Sequence, residues 1–96
     1  RGGDNIAPAE VQAVLYSHPC VEEAAVIGVA DVEWGQKVAA VLVARPGAVI
    51  DTDEVSEFCR LRLASFKKPE IIRVVEALPK NQMGKILKKD LRPMFA

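Results

Sequence analysis

Apolar positions in this chain run first at helical spacing, then in two nearly continuous blocks, then at helical spacing again. That succession predicts the elements. Val11, Val14 and Leu15 follow a helical stripe behind Pro8, which suits a first helical turn, with Glu10 just inside it. Ile6 and Val11 are placed to staple the entry. His18-Pro19 ends this helix, because a residue before proline avoids the helical region. Val21 to Val29 predicts a strand whose second half is continuously apolar, as expected when both faces are covered. Ala30 to Gln36 reads as a connecting loop, and Lys37 to Arg45 as a second strand stopped by Pro46-Gly47. So short a link favours an antiparallel hairpin. Asp51 with Glu54 three residues on resembles a capping-box helix start. Val55, Phe58, Cys59, Leu63 and Phe66 then share one face, interrupted by Arg62, and Lys67-Lys68-Pro69 predicts the end near Phe66. Ile71 to Val75 predicts a third, β-branched strand. Leu78 to Gly84 reads as a loop, and Ile86 to Leu91 as a short final helix stopped by Pro93. The order is α-β-β-α-β-α, a small single α+β domain with about three strands and flanking helices.

Length and composition narrow the class. With 96 residues, half of them hydrophobic, the chain is one domain with one thin core, and extended disorder is excluded. The longest apolar run, Val38 to Ala44, is far short of the ~20 residues of a spanning helix. The chain starts at Arg1-Gly2-Gly3, with no signal-like segment and no initiator Met, so a piece of a longer protein is expected. Thirteen basic and thirteen acidic side chains cancel, which argues against a nucleic-acid or membrane-surface binder. Cys20 and Cys59 form no C-x-x-C pattern. They read as small hydrophobes in a reducing cytoplasm, without metal or disulfide. The charge is uneven, however. Lys80, Lys85, Lys88, Lys89 and Arg92 gather near the C-terminus against one acid, Asp90, a first hint of an anionic ligand.

Few residues offer chemistry. The single histidine, His18, sits at a helix end, where a structural cap outweighs catalysis, and no nucleophile–base pair can be assembled around it. Trp34-Gly35 lies between two strands, as an aromatic folded onto the body or one exposed at an interface. Gly2-Gly3 marks a turn or a close backbone approach to a ligand. The segment Pro79-Lys80-Asn81-Gln82-Met83-Gly84-Lys85 is a polar loop flanked by Pro and Gly, ending in a lysine. An ammonium on a flexible stem suits a phosphate or carboxylate oxygen. On composition alone, a solvated surface lysine is the commoner reading. The loop is not a P-loop: one glycine is missing, and Ile86 stands where Ser or Thr would meet magnesium.

Taken together, these segments carry a resemblance. Gly2-Gly3-Asp4-Asn5-Ile6-x-Pro8-x-Glu10-Val11, His18-Pro19-x-Val21-x-Glu23-Ala24-Ala25-Val26-Ile27-Gly28, Trp34-Gly35-Gln36, Cys59-Arg60, Leu63-Ala64, Lys68-Pro69 and Pro79-Lys80-Asn81-x-x-Gly84-Lys85-Ile86 occur in order across nearly the whole chain. The chain resembles the C-terminal lid domain of the adenylate-forming (AMP-binding) superfamily, in its acyl-CoA synthetase branch. Asp4 departs from the pattern, standing where Glu is common.

The resemblance implies a lid, spanning residues 1–96, of an acid–thiol ligase. The lid partners an N-terminal domain that binds ATP, Mg2+ and a carboxylic acid, with fatty acids the favoured class. Lys85 is the implied catalytic residue, contacting carboxylate and phosphate oxygens while acyl-adenylate forms. The lid then rotates, and Gly2, Gly3 and Asp4 line the pantetheine tunnel of coenzyme A for thioester formation. The fragment alone is implied to be inactive and to bind none of these, and no metal ligand is implied on it. A lysine acetyltransferase acting on Lys85 is a further implied partner. The Gly-Gly-x-Asn start favours CoA ligases over peptide-synthetase or luciferase-like adenylation domains. The basic tail keeps a stand-alone anion-binding module as an alternative.

Overall fold

A computed structural model of the chain describes residues 8–33, 35–63 and 68–95. Helix α1 spans Pro8–Tyr16, strands β1 and β2 span Val21–Asp31 and Gly35–Ala44, helix α2 spans Thr52–Arg60, and strand β3 spans Ile71–Val74. Two 3-10 turns, Lys88–Asp90 and Arg92–Phe95, follow. The predicted α+β order therefore stands.

The sheet is mixed, in the order β1-β2-β3. β1 and β2 form the expected antiparallel hairpin, with Val26 opposite Ala40. β3 returns through α2 and lies parallel to β2, with Ile72 opposite Ala40. Between Val21 and Glu23 the register slips, so these two residues oppose the consecutive pair Ala44 and Val43. Strand side chains alternate between faces, and an extra residue resets the alternation. Val21 is thereby turned to the same face as Ala24 and Val26, where all three are buried.

Each sheet face has its own core. Helices α1 and α2 cover one face, burying Val11, Leu15, Val55, Cys59 and Leu63 against Ala24, Val26, Val38, Ala40 and Leu42. The segment after β3 covers the other, burying Leu78 and Leu91 against Ala25, Ile27, Val29, Ala39 and Val41, with Ile86 and Phe95 at the margin. Both faces of β1 and β2 are thus dry, which is why their apolar runs are nearly continuous.

Local chemistry explains the element ends. Asp51 caps α2, its side chain accepting from the N–H groups of Asp53 (2.9 Å) and Glu54 (3.3 Å). Arg45 to Ala48 closes a turn, with the Ala48 N–H bonded to the Arg45 carbonyl at 2.9 Å and Gly47 at φ +80°. A type II turn asks for proline, then a residue of positive φ, and Pro46-Gly47 supplies both. Helix α2 ends at Arg60, short of the expected Phe66, and residues 64–67 lie outside the described part. The final helix is replaced by the two 3-10 turns. Its start, Leu87, is extended and has no side-chain cap, and a six-residue helix without a cap cannot offset its nucleation cost. Pro93 sits inside the second turn rather than ending a helix. The proposed staple partner Ile6 also lies outside the described residues.

Candidate functional site

The loop singled out by its lysine is the tip of a tight hairpin on the tail-covered face. Lys80 and Ile86 form an antiparallel bridge, and the Leu87 N–H bonds to the Pro79 carbonyl at 2.8 Å. Inside the bridge, Asn81 closes the loop on itself. Its N–H donates to the Lys85 carbonyl at 2.9 Å, and its carbonyl accepts from the Gly84 N–H at 2.9 Å. Its side-chain oxygen Oδ1 accepts from the N–H groups of Met83 (2.8 Å) and Lys85 (3.0 Å). Gly84 adopts φ +84°, a left-handed conformation that costs a side-chain-bearing residue about 1 kcal/mol. Asn81 through Lys85 are all exposed. Among the described residues no carboxylate pairs with the Lys85 ammonium, which faces solvent from a loop whose backbone is pinned.

The base of the hairpin is tethered to the sheet. Lys80 Nζ pairs with Glu23 Oε2 on β1 at 2.5 Å, and Leu78 is buried beneath. The guanidinium of Arg92 donates to the Gly28 carbonyl at 2.5 Å, tying the tail to the far end of the same strand. The five C-terminal cations are therefore not one field. Lys80 is taken by an acid and Arg92 by a carbonyl, while Lys88 is half-buried. Burial, with the Arg92 charge second, pushes the Lys88 pKa down. Lys85 and Lys89 remain as exposed cations without an acidic partner among the described residues, a weak basis for a stand-alone polyanion binder.

His18 has a structural place. The ring is 3% exposed. Its Nδ1 accepts from the Cys20 N–H at 3.0 Å, and its Nε2 meets Glu54 Oε1 at 2.7 Å. An accepting Nδ1 and a carboxylate at Nε2 together assign a neutral ring with its proton on Nε2. Phe58 packs edge-on at 4.7 Å, and the Arg62 guanidinium covers the Phe58 ring at 3.6 Å. Arg62, the interruption in the apolar face of α2, thus covers an aromatic ring. His18 fixes the exit of α1 to α2 through Glu54 and the Cys20 backbone, not through the last helical carbonyls. Cys59 is buried, and burial pushes its thiol pKa up, so it is no nucleophile. Cys20 is half-buried and free.

Gly2, Gly3, Asp4 and Trp34 lie outside the described residues. Among the described residues no three His, Cys, Asp or Glu side chains come together to hold a metal ion. No described helix is long and apolar enough to cross a membrane. Reading the sequence did not assign a role to Asn81, nor find Glu23 as the partner of Lys80 or Gly28 as that of Arg92. An Asn opening a loop with Gly three residues on was the available signal for the first. The other two join positions 57 and 64 residues apart and had none.

Comparison with known proteins places this geometry. The family profile of the AMP-binding enzyme C-terminal domain matches residues 10–85. The chain is 50% identical over 90 residues to 2-succinylbenzoate–CoA ligase of Bacillus licheniformis, covering 94% of this chain and 18% of that protein. It is 42% identical over 95 residues to a long-chain-fatty-acid–CoA ligase of Mycobacterium tuberculosis, covering 99% and 19%. Among solved structures, ATP-bound MatB from Rhodopseudomonas palustris superposes with TM-score 0.91 at 39% identity, over 98% of this chain and 19% of that one. The Bacillus subtilis o-succinylbenzoate CoA synthetase in complex with its acyl-adenylate intermediate gives TM-score 0.86 at 42% identity, over 93% and 18%. The chain spans about a fifth of the length of the curated relatives it matches.

Proposed function

The chain belongs to the AMP-binding enzyme C-terminal domain family, and from that premise we propose that residues 1–96 are the mobile lid of an ATP-dependent acyl-CoA ligase. The observation that carries this reading is Lys85, an exposed ammonium with no acidic partner among the described residues, on a hairpin whose backbone is held by its own hydrogen bonds. Attack of a carboxylate on a phosphate brings two anions together. A fixed positive charge between them stabilises the charge that develops, most strongly where water is excluded. Lys85 supplies that charge during adenylate formation and then withdraws as the lid rotates. The Gly2-Gly3-Asp4 loop next faces the pantetheine arm of coenzyme A, where glycines permit close approach. ATP and Mg2+ are held by the remainder of the protein. The lid contributes a lysine and a loop and is inactive alone.

The acid is chosen outside this domain. Relatives named for succinylbenzoate and for long-chain fatty acids match it at 50% and 42% identity, so fatty acids are one class among several. Exposure of Lys85 also opens it to a lysine acetyltransferase, and acetylation would remove the charge that adenylation needs.

The test is Lys85→Ala in the full-length enzyme, with the half-reactions assayed separately. Acyl-adenylate formation is expected to fall by ~10²–10³, the loss typical of a removed charge-stabilising donor. Thioester formation from supplied acyl-adenylate is expected to persist. If both half-reactions run at native rates, Lys85 is a surface lysine and the reading fails.

A further inference from the structure

We infer that Asn81 is a positioning residue for Lys85, holding the backbone from which the ammonium is projected. The inference rests on the Lys85 reading above and extends it to a residue whose described hydrogen bonds all lie within the loop.

A lysine side chain has four rotatable bonds, so the position of its ammonium is defined only if its backbone origin is defined. In this hairpin that origin hangs on one residue. Asn81 contributes four hydrogen bonds to a five-residue loop, two from its backbone and two to its Oδ1. The side-chain pair is the part a substitution can remove. Oδ1 fixes the N–H of Lys85 directly and that of Met83 two residues before it. Beyond Lys85 the chain is held independently, by the Lys80–Ile86 bridge, the Leu87–Pro79 hydrogen bond and the Lys80–Glu23 pair. Removing Oδ1 therefore releases the N–H groups of Met83 and Lys85, loosening the tip to the two backbone bonds of residue 81, and leaves the base in place. The loop is exposed, so the freed N–H groups turn to water and folding loses little. Positional precision is lost instead, and a displacement of about 1 Å at a reacting centre costs up to ~10²-fold in rate. Asn81 thus separates rate from stability.

The experiment uses the full-length enzyme with Asn81→Ala, Asn81→Thr, Lys85→Ala and the Asn81→Ala/Lys85→Ala double variant. Asn81→Ala is expected to slow acyl-adenylate formation by ~10–10² through kcat, with KM for ATP and acid unchanged. Thioester formation from supplied acyl-adenylate stays at the native rate, which also reports that the lid is folded. Amide exchange quickens at Met83 and Lys85 and is unchanged at Leu87. Asn81→Thr keeps a neutral oxygen acceptor and recovers most of the rate and the protection. The double variant is no slower than Lys85→Ala, as required of a residue acting through another. Native adenylation by Asn81→Ala beside quickened exchange and a collapsed Lys85→Ala overturns the inference and spares the Lys85 reading. A double variant slower than Lys85→Ala does the same. Native adenylation by Lys85→Ala overturns both.

Discussion

The helix-covered and tail-covered faces of the sheet are equally dry but are sealed by different means. On the first, α1 and α2 satisfy their own backbone groups, and cover depends on the apolar stripe through Val11, Leu15, Val55 and Cys59. On the second, the chain after β3 has no long ladder, so its backbone groups are satisfied turn by turn. It is held by discrete ties: Lys80 to Glu23, Arg92 to the Gly28 carbonyl, and Asn81 to its own loop. Helices make a broad cover with little freedom at their ends. An irregular cover can leave one exposed, pinned loop standing off the core, and that is where Lys85 sits.

The comparison breaks most visibly in the two cores. Leu42, fully buried under the helices, should cost about 3–4 kcal/mol as Leu42→Ala, seen as a lowered urea midpoint for the whole domain. Leu91→Ala, at an equally dry site beneath the tail, should cost about 2 kcal/mol, because a turn can settle into the space more readily than a helix. Its amide exchange should quicken across residues 78–95 while α1 and β1 stay protected. Equal costs with uniform exchange would show that the tail is as integral as the helices.

A smaller effect sharpens the helical side. Glu54→Ala leaves the buried His18 N–H without its acceptor and should cost about 1–2 kcal/mol in denaturant unfolding. An unchanged midpoint would show that water replaces the carboxylate.

The smallest effect lies on the tail. Lys88 is a half-buried cation without an acidic partner among the described residues, and its pKa is lowered by burial first and by Arg92 second. The folded state therefore releases the proton more readily than the unfolded one. The penalty is full at pH values below the folded pKa, and stability rises with pH from there to the ordinary value of 10.5. Lys88→Met should stabilise by a few tenths of a kcal/mol, about the scale of exposed charges, and flatten that alkaline rise. A destabilised variant would reveal an anionic partner for Lys88.

Much of the fold was legible because its cues are short-ranged. Asp51 did cap α2, Pro46-Gly47 did close its turn, and the blocks around Val26 and Val41 did pair as a hairpin. Lys85 stood out as the lysine of a polar loop flanked by Pro and Gly. The role of Asn81 did not, because an asparagine in a loop is common and only the folded hairpin shows which N–H groups its oxygen receives. Glu54 is the sharpest divergence. At the third position of its helix it is placed to reach back to its own cap, yet its carboxylate goes to His18, 36 residues earlier.

By itself, the sequence determined the order of elements, the turns and caps, and the loop that carries the lysine, since each rests on bonds within a few residues. Tertiary structure alone decided the parallel seating of β3, the bulge that turns Val21 to the helical face, and the pairing of Lys80 with Glu23 across 57 residues. Those outcomes depend on where a distant segment returns, and no local pattern of residues encodes that place.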